Sequence, residues 1–314
     1  MKSSRWTVTE PPDELGLAHS ADFAPNRWRR RWLGPLFGLA CLMATMTGVL
    51  VLATLLFAIV LAVLHGEFHL SPLALGQQAR ELVRALWTMA IQKQSSDPGQ
   101  AGYKVGLLGS LWLLGMVAVI SIPVGVGAAV FLEEFPVPSR LRRLIQMNIA
   151  NLAGVPSIVY GILGLTLFAR GFGQPALALG PTLLAGALTL ALLVLPVVVI
   201  ASQEALRAVP QSLRQAALAL GATRWQMVRD HVLPSALPGI LTGVILALSR
   251  AIGETAPLLM VGAAGSILML PRGPLDRYTA LPVEIYNYSN EVDDGFQTVA
   301  AGGILILLIL LLSM

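Results

Sequence analysis

The chain has 314 residues, of which 55% are hydrophobic and only 12% charged, with a mean hydropathy of +0.73. That composition excludes an ordinary soluble domain and points to a protein whose solvent is the bilayer. The formal charge of +4 and the isoelectric point near 9.6 arise from basic residues that flank apolar runs without aromatic interleaving, which argues against a nucleic-acid partner.

An all-α integral membrane fold is expected, with six spans near residues 33–64, 105–131, 147–170, 178–200, 236–264 and 298–314. Each is long enough for a hydrocarbon core that needs roughly 20 helical residues. Residues 1–32 are a polar arm, and the span that follows is too long for the apolar core of a cleavable signal, so it reads as a permanent anchor behind a cytoplasmic arm. Residues 65–104 make the first outer loop, and 105–314 hold the core with its five further spans. The last span reaches Met314 with no polar flank, which leaves the true end of the chain open. With the N-terminus inside, thirteen Lys and Arg residues, Arg29, Arg142, Arg214 and Arg229 among them, fall on the inner side, and seven, Arg80, Lys104, Arg170 and Arg277 among them, on the outer. Basic residues resist translocation, so both termini are expected in the cytoplasm.

Cys41 is the only cysteine and lies in the first span, so no disulfide framework or thiolate metal site is available. His65 and His69 have i, i+4 spacing, but Gly66 between them and Pro72 beyond favour a loop over a metal-binding helix face. No G-x-x-x-x-G-K-[ST], H-E-x-x-H or G-x-S-x-G pattern occurs. The chain is therefore not expected to be an enzyme, to bind a cofactor or to hold a metal.

Between the fourth and fifth spans, Glu204 to Pro234 is polar. Pro210 suits a first helical turn and Gly221 the left-handed position after a helix. Leu213, Ala216, Ala217 and Leu220 recur at i, i+3, i+4, i+7, with Ser212, Arg214 and Gln215 on other faces. Thr223 and Gln226 form a capping-box pattern that opens a second helix, and Pro234 is expected to limit it. Such a knuckle fits a groove on another protein, or lies on the lipid surface as an interfacial helix.

The run Gln215-Ala216-Ala217-Leu218-Ala219-Leu220-Gly221, with Leu233-Pro234 downstream, resembles the E-A-A-x-x-x-G…I-x-L-P cytoplasmic loop of ABC importer permeases, with Gln215 in place of the usual Glu and His231 in place of an aliphatic residue. The stretches from Leu152 to Gly161 (LAGVPSIVYG) and Ser249 to Leu259 (SRAIGETAPLL), together with Leu132-Glu133-Glu134 and Thr279 to Tyr286 (TALPVEIY), are similar to the PstA-type permease subunits of phosphate ABC importers. The likeness runs from about residue 105 onward; residues before 32 and from 65 to 104 carry none. It implies the type I permease fold and a multi-pass protein of the bacterial inner membrane that passes phosphate by alternating access. It also implies a PstC-like sister permease, a PstB-like ATPase dimer that uses ATP and Mg, and a PstS-like periplasmic phosphate-binding protein. In that setting Gln215, Ala216, Ala217 and Gly221 belong to the coupling helix seated in the ATPase. The competing readings are a permease for molybdate or sulfate, a secondary transporter or channel without an ATPase, and a scaffold subunit that transports nothing. No internal repeat of the kind secondary transporters show is visible.

Arg250 falls roughly 24 Å along the fifth span, where a charge costs about 2.5 kcal/mol or more and should face the bundle interior or a water-filled cavity. Glu254 stands i+4 from it on one face. The pair either fixes helix packing or lets the guanidinium present its fork of donors to phosphate while Glu254 holds it. Thr255 and Ser157 are further candidates for the substrate path. Gly253 and Pro257 are expected to form a kink, as a gate or a static bend. Gly239 and Gly243 invite close approach of another helix, the partner permease being one possibility. The loop from 265 to 297 is acidic on balance and is the face expected to meet the binding protein.

Overall fold

The computed structural model describes residues 27–63, 72–136, 138–263 and 269–314; the arm before residue 27 and the His65, His69 pair lie outside the described residues. Contacts divide the chain after Leu56 into two units. The described part of the first is residues 27–56 of α1 (Arg27–Val63), an apolar helix with almost every side chain from Gly34 to Leu56 exposed.

The second unit holds α2 (Pro72–Ile91), α3 (Lys104–Glu134), α4 (Ser139–Ala153), α5 (Ser157–Gly164), α6 (Leu183–Ala208), α7 (Gln211–Ala219), α8 (Arg224–Met227), α9 (Leu233–Gly253), α10 (Ala256–Val261), α11 (Leu281–Ser289) and α12 (Gly295–Ser313). Among the described residues, five helical runs are long and apolar enough to cross a membrane, and a sixth forms if α4, α5 and the turn after them are one bent span. Helix α6 is the centre of the bundle. Thr182 caps its start, accepting from the Ala185 N–H at 3.4 Å, and Leu190, Val194 and Val198 along it are buried. Its neighbours α3 and α9 come close because glycines face it. A Cβ on Gly125 would lie 2.7 Å from Val198, and one on Gly239 2.9 Å from Ala205. Gly243 lies just as tightly on Ala201. The Gly239, Gly243 pair is thus packed against α6 of the same chain.

Three expectations from the sequence need correction. The third span is no straight helix over 147–170: α4 and the run beginning at α5 meet at 99°. Pro156 lacks an N–H and pushes Val155 out of helical geometry, so the chain must turn; the Tyr160 hydroxyl braces the bend by donating to the Leu152 carbonyl at 2.8 Å. The fifth span stops at Gly253, because Glu254 is extended (φ −79, ψ 112) and α10 starts anew with Pro257 in its first turn. Pro257 therefore opens a helix where a kink was expected. Pro234, in turn, ends nothing. Residues Val228–Val232 form a π-turn, closed by the Leu233 N–H on the Val228 carbonyl, so the missing N–H of Pro234 falls where the α pattern is already relaxed. Residues Pro72–Ile91, read above only as part of a loop, form α2; Leu82, Leu86 and Met89 pack on the cluster around Tyr103, Phe296 and Val299.

At the end of the bundle far from α7, the segment from Tyr278 to Ile285 is plugged between helices. Gly109 accommodates the Thr279 carbonyl, and Ser110 Oγ accepts from the Leu281 N–H at 2.9 Å. Glu284 is fully buried, and its carboxyl lies against the backbone of Gly106, where any Cβ would collide with it. No side-chain donor reaches its oxygens. Helix α11 is too short to span a membrane, and burial there pushes the Glu284 carboxyl up from 4.5 to about 8. The folded chain holds a proton that the unfolded chain releases, so this contribution to stability is complete below 4.5 and is lost as pH rises through about 8. Unfolding in detergent is expected to need less heat as pH is raised from about 5 to about 9, and Glu284→Gln to flatten that trend. Thermal melts across the range check this, and an equally steep variant overturns it.

Candidate functional site

Two places carry chemistry. The first is the knuckle of α7 and α8. Pro210, with no N–H to lose, sits at the N-cap position of α7. Leu220 closes the helix, and Gly221 takes φ +83, a left-handed conformation that costs glycine nothing. Thr223 Oγ1 accepts from the Gln226 N–H at 3.3 Å while Gln226 Oε1 accepts from the Thr223 N–H at 2.9 Å, the reciprocal box read from the sequence.

The inward face of α7 differs from the expected stripe. Ala217 is buried and Leu213 half-buried, but Ala216 is exposed and Leu220 is 89% exposed. Arg214, assigned to a polar face, turns inward. Its Nη2 donates to Glu134 Oε1 at 2.7 Å and to the Leu206 carbonyl at 2.8 Å, Nε lies 3.2 Å from Glu134 Oε2, and Nη1 donates to the Val209 carbonyl at 2.7 Å. The physical reason is a deficit of donors. The last carbonyls of α6 lack intrahelical partners, the Glu134 side chain is only 4% exposed, and a guanidinium can serve all of them at once. Beside this clamp, Glu133 pairs with Arg142 and with Arg207, each at 2.7 Å, and Arg207 also holds Glu204 at 2.8 Å. The ends of α3, α4 and α6 are thereby tied to one another and to α7. Facing away are Gln215, Ala216, Leu218, Leu220 and Trp225.

The second place is the break between α9 and α10. Arg250 Nε donates to Glu254 Oε1 at 3.3 Å, and their side chains are 49% and 19% exposed. Arg250 therefore lies on a face of α9 that this chain leaves open, and a Cβ on Gly253 beside it would meet nothing within 4 Å. The interior side is different: the small space there is lined by Leu113, Val117, Leu190, Ile252 and Leu258, with Ser110 its one polar residue and no charged group. Thr255 and Ser157 are half-buried. Helix α5 packs closely on α10, with Gly161 set so that a Cβ would lie 2.7 Å from Pro257 Cα. Among the described residues, no group of three His, Cys, Asp or Glu side chains is placed to hold a metal.

The Arg214 and Glu134 clamp escaped sequence reading, although two adjacent acids at the end of an apolar span were a signal that cations must await them. Glu284 was passed over as one loop acid among several.

Residues 121–314 match the model of the family described as binding-protein-dependent transport system inner membrane component. The chain is 37% identical over 182 residues to the probable ABC transporter permease protein YqgH of Bacillus subtilis, covering 58% of each chain. It is 40% identical over 184 residues to phosphate transport system permease protein PstA 1 of Mycobacterium tuberculosis (58% of this chain, 57% of that one). With PstA of Xylella fastidiosa the identity is 33% over 213 residues, 68% of this chain and 72% of that one. The matches thus span little more than half the length of the first two of these relatives. Among solved structures, the MetNI methionine ABC transporter superposes with a TM-score of 0.52 at 23% identity (70% of this chain, 94% of that one), and a bacterial transporter of the polysaccharide alginate with 0.57 at 17% (91% and 96%). At those identities the likeness is one of fold.

Removing either partner of a buried ion pair strands the other, at about 3–5 kcal/mol. Arg214→Ala and Glu134→Ala are each expected to destabilise the chain by that order, and the double variant by far less than their sum. Thermal unfolding of the four proteins in detergent checks the cycle; additive losses overturn the clamp.

Proposed function

Because the chain belongs to the binding-protein-dependent transport system inner membrane components, we propose that it is the permease subunit of an ATP-driven phosphate importer. It passes inorganic phosphate, released by a periplasmic binding protein, to the cytoplasm by alternating access. The observation that carries this reading is the Arg250, Glu254 pair at the break of the fifth span, set within a stretch similar to phosphate permeases and exposed on an open face of α9. A guanidinium offers phosphate two parallel donors. Glu254 neutralises it when no anion is present and, being only 3.3 Å away, must give way when one arrives. The break at Glu254 and Thr255 provides that freedom, since Glu254 lies outside both helices. Gly253 and Pro257 act as the hinge.

The open face needs a second wall, which a sister permease supplies. The knuckle end is cytoplasmic, in keeping with the excess of basic residues there. The outward residues Gln215, Ala216, Leu218 and Leu220 meet an ATP-binding subunit, which supplies the hydrolysis of ATP and Mg chemistry for which this chain shows no motif. The relatives named for phosphate transport support the substrate.

The test is uptake of radiolabelled phosphate in cells lacking their native permease, at matched membrane levels. Arg250→Gln is expected to lower uptake at least about tenfold, the loss of one charge-assisted contact in a shielded site. Gly221→Asp is expected to abolish uptake and release the ATP-binding subunit, since it places a charge and a Cβ at φ +83 in the turn that closes α7, although nothing lies within 4 Å to clash. Normal uptake by Arg250→Gln overturns the site, and transport of molybdate or sulfate in place of phosphate overturns the substrate.

A further inference from the structure

We propose that a ledge at the outer end of the bundle, built from residues 168–184 and 270–277, seats the binding protein, with Phe172 as its anchor and Arg170, Arg272 and Arg277 meeting an acidic rim on that partner. This rests on reading the chain as the permease of a binding-protein-dependent importer.

The ledge is held by backbone hydrogen bonds between distant segments. The N–H groups of Leu183 and Leu184 donate to the carbonyls of Asp276 (2.9 Å) and Pro274 (2.8 Å), and Thr182 pairs with Arg277 in an isolated bridge. Leu179 and Gly180 donate back to Phe168 (2.9 Å) and Ala169 (3.1 Å), so the turn that carries Phe172 is joined to the same platform.

Phe172 stands on this platform in a conformation that suits it poorly. It has φ 54 and ψ 30, left-handed geometry that burdens a residue with a Cβ, between Gly171 and Gly173, which also have positive φ. Its ring is 72% exposed, so burial within the chain does not offset the strain. Backbone strain that the fold does not use is a mark of a contact surface. An exposed aromatic among arginines is the composition from which interface hot spots are made.

The charges give the partner its sign. Arg170, Arg272 and Arg277 are exposed and form no ion pair among the described residues. The nearby Asp276 is occupied, one of its carboxylate oxygens accepting from the N–H groups of Arg272 (2.7 Å) and Gly273 (2.8 Å). Of the acids that make the outer loop acidic on balance, Glu291, Asp293 and Asp294 gather beyond α11. The outer face is therefore divided, basic at the ledge and acidic by α12. Such a division steers a partner and fixes its rotation as well as its position.

The experiment uses the transporter assembled with its sister and ATP-binding subunits in lipid nanodiscs, and a purified, phosphate-loaded phosphate-binding protein. Phe172→Gly removes the ring while relieving the backbone, so misfolding cannot account for a loss; its affinity for the binding protein is expected to fall at least about tenfold. The Arg272→Glu, Arg277→Glu double variant is expected to weaken capture and to lose the salt dependence that wild type shows. Capture by all variants within about twofold of wild type overturns the ledge and leaves the functional reading standing. A wild-type transporter that captures no binding protein overturns both, whereas capture of a sulfate- or molybdate-binding protein that is weakened by the same changes supports the ledge and overturns only the substrate.

Discussion

A largely buried guanidinium at the foot of the bundle decides how the knuckle of α7 and α8 is joined to the long helices. Arg214 belongs to α7, yet its partners are the last residue of α3 and the last carbonyls of α6. Burying two charges is expensive unless every donor and acceptor is matched, and here the fork is matched on three sides. The knuckle is thus anchored to the two helices that share the core, and a push on its outward face reaches α3 and α6 directly. The flanking pairs of Glu133 with Arg142 and Arg207 extend the same grip to the amphipathic α4.

The rest of the bundle is fitted by small residues. Inside a bilayer, apolar burial does little to draw helices together, and close packing takes over. Gly125 on Val198, Gly239 and Gly243 on Ala205 and Ala201, Gly161 on Pro257, and Gly106 and Gly109 under the 278–285 plug form one theme. A side chain at any of these points displaces a helix. This tight frame surrounds a loose place: the break after Gly253 is open on one side, and among the described residues the ion pair across it is that of Arg250 and Glu254 at 3.3 Å.

How far the sequence could be read follows from how local each feature is. Pro210, Gly221 and the Thr223, Gln226 box are decided within four residues, and all three stand as the residues themselves indicate. The Arg250, Glu254 pair is one helical turn long and equally legible. The clamp joins residues 80 positions apart, so neither half announces the other. The small pair Gly239, Gly243 told that a helix would come near, but not which one. The break at Glu254 was half legible: Pro257 signalled a disturbance, yet whether a membrane helix bends or stops at a proline depends on what its neighbours offer the freed carbonyls. Pro234 misled for the converse reason, since a π-turn upstream absorbed what would otherwise have ended the helix.

That π-turn sets a phase. Each residue advances an α-helix by about 100°, and the widened turn at Val228–Val232 holds one residue more than the regular pattern would. The outward face of the knuckle and the open face that carries Arg250 are thus placed on their respective bearings by a single surplus residue between them. Losing one position there would leave every side chain of α9 in its order, yet rotate Arg250 by more than a quarter circle, off its exposed bearing and onto the one that half-buried Ser249 holds now. In this molecule an insertion or deletion of one residue is a change of azimuth, and the alignment of Arg250 with the knuckle depends on it as much as on the identity of either end.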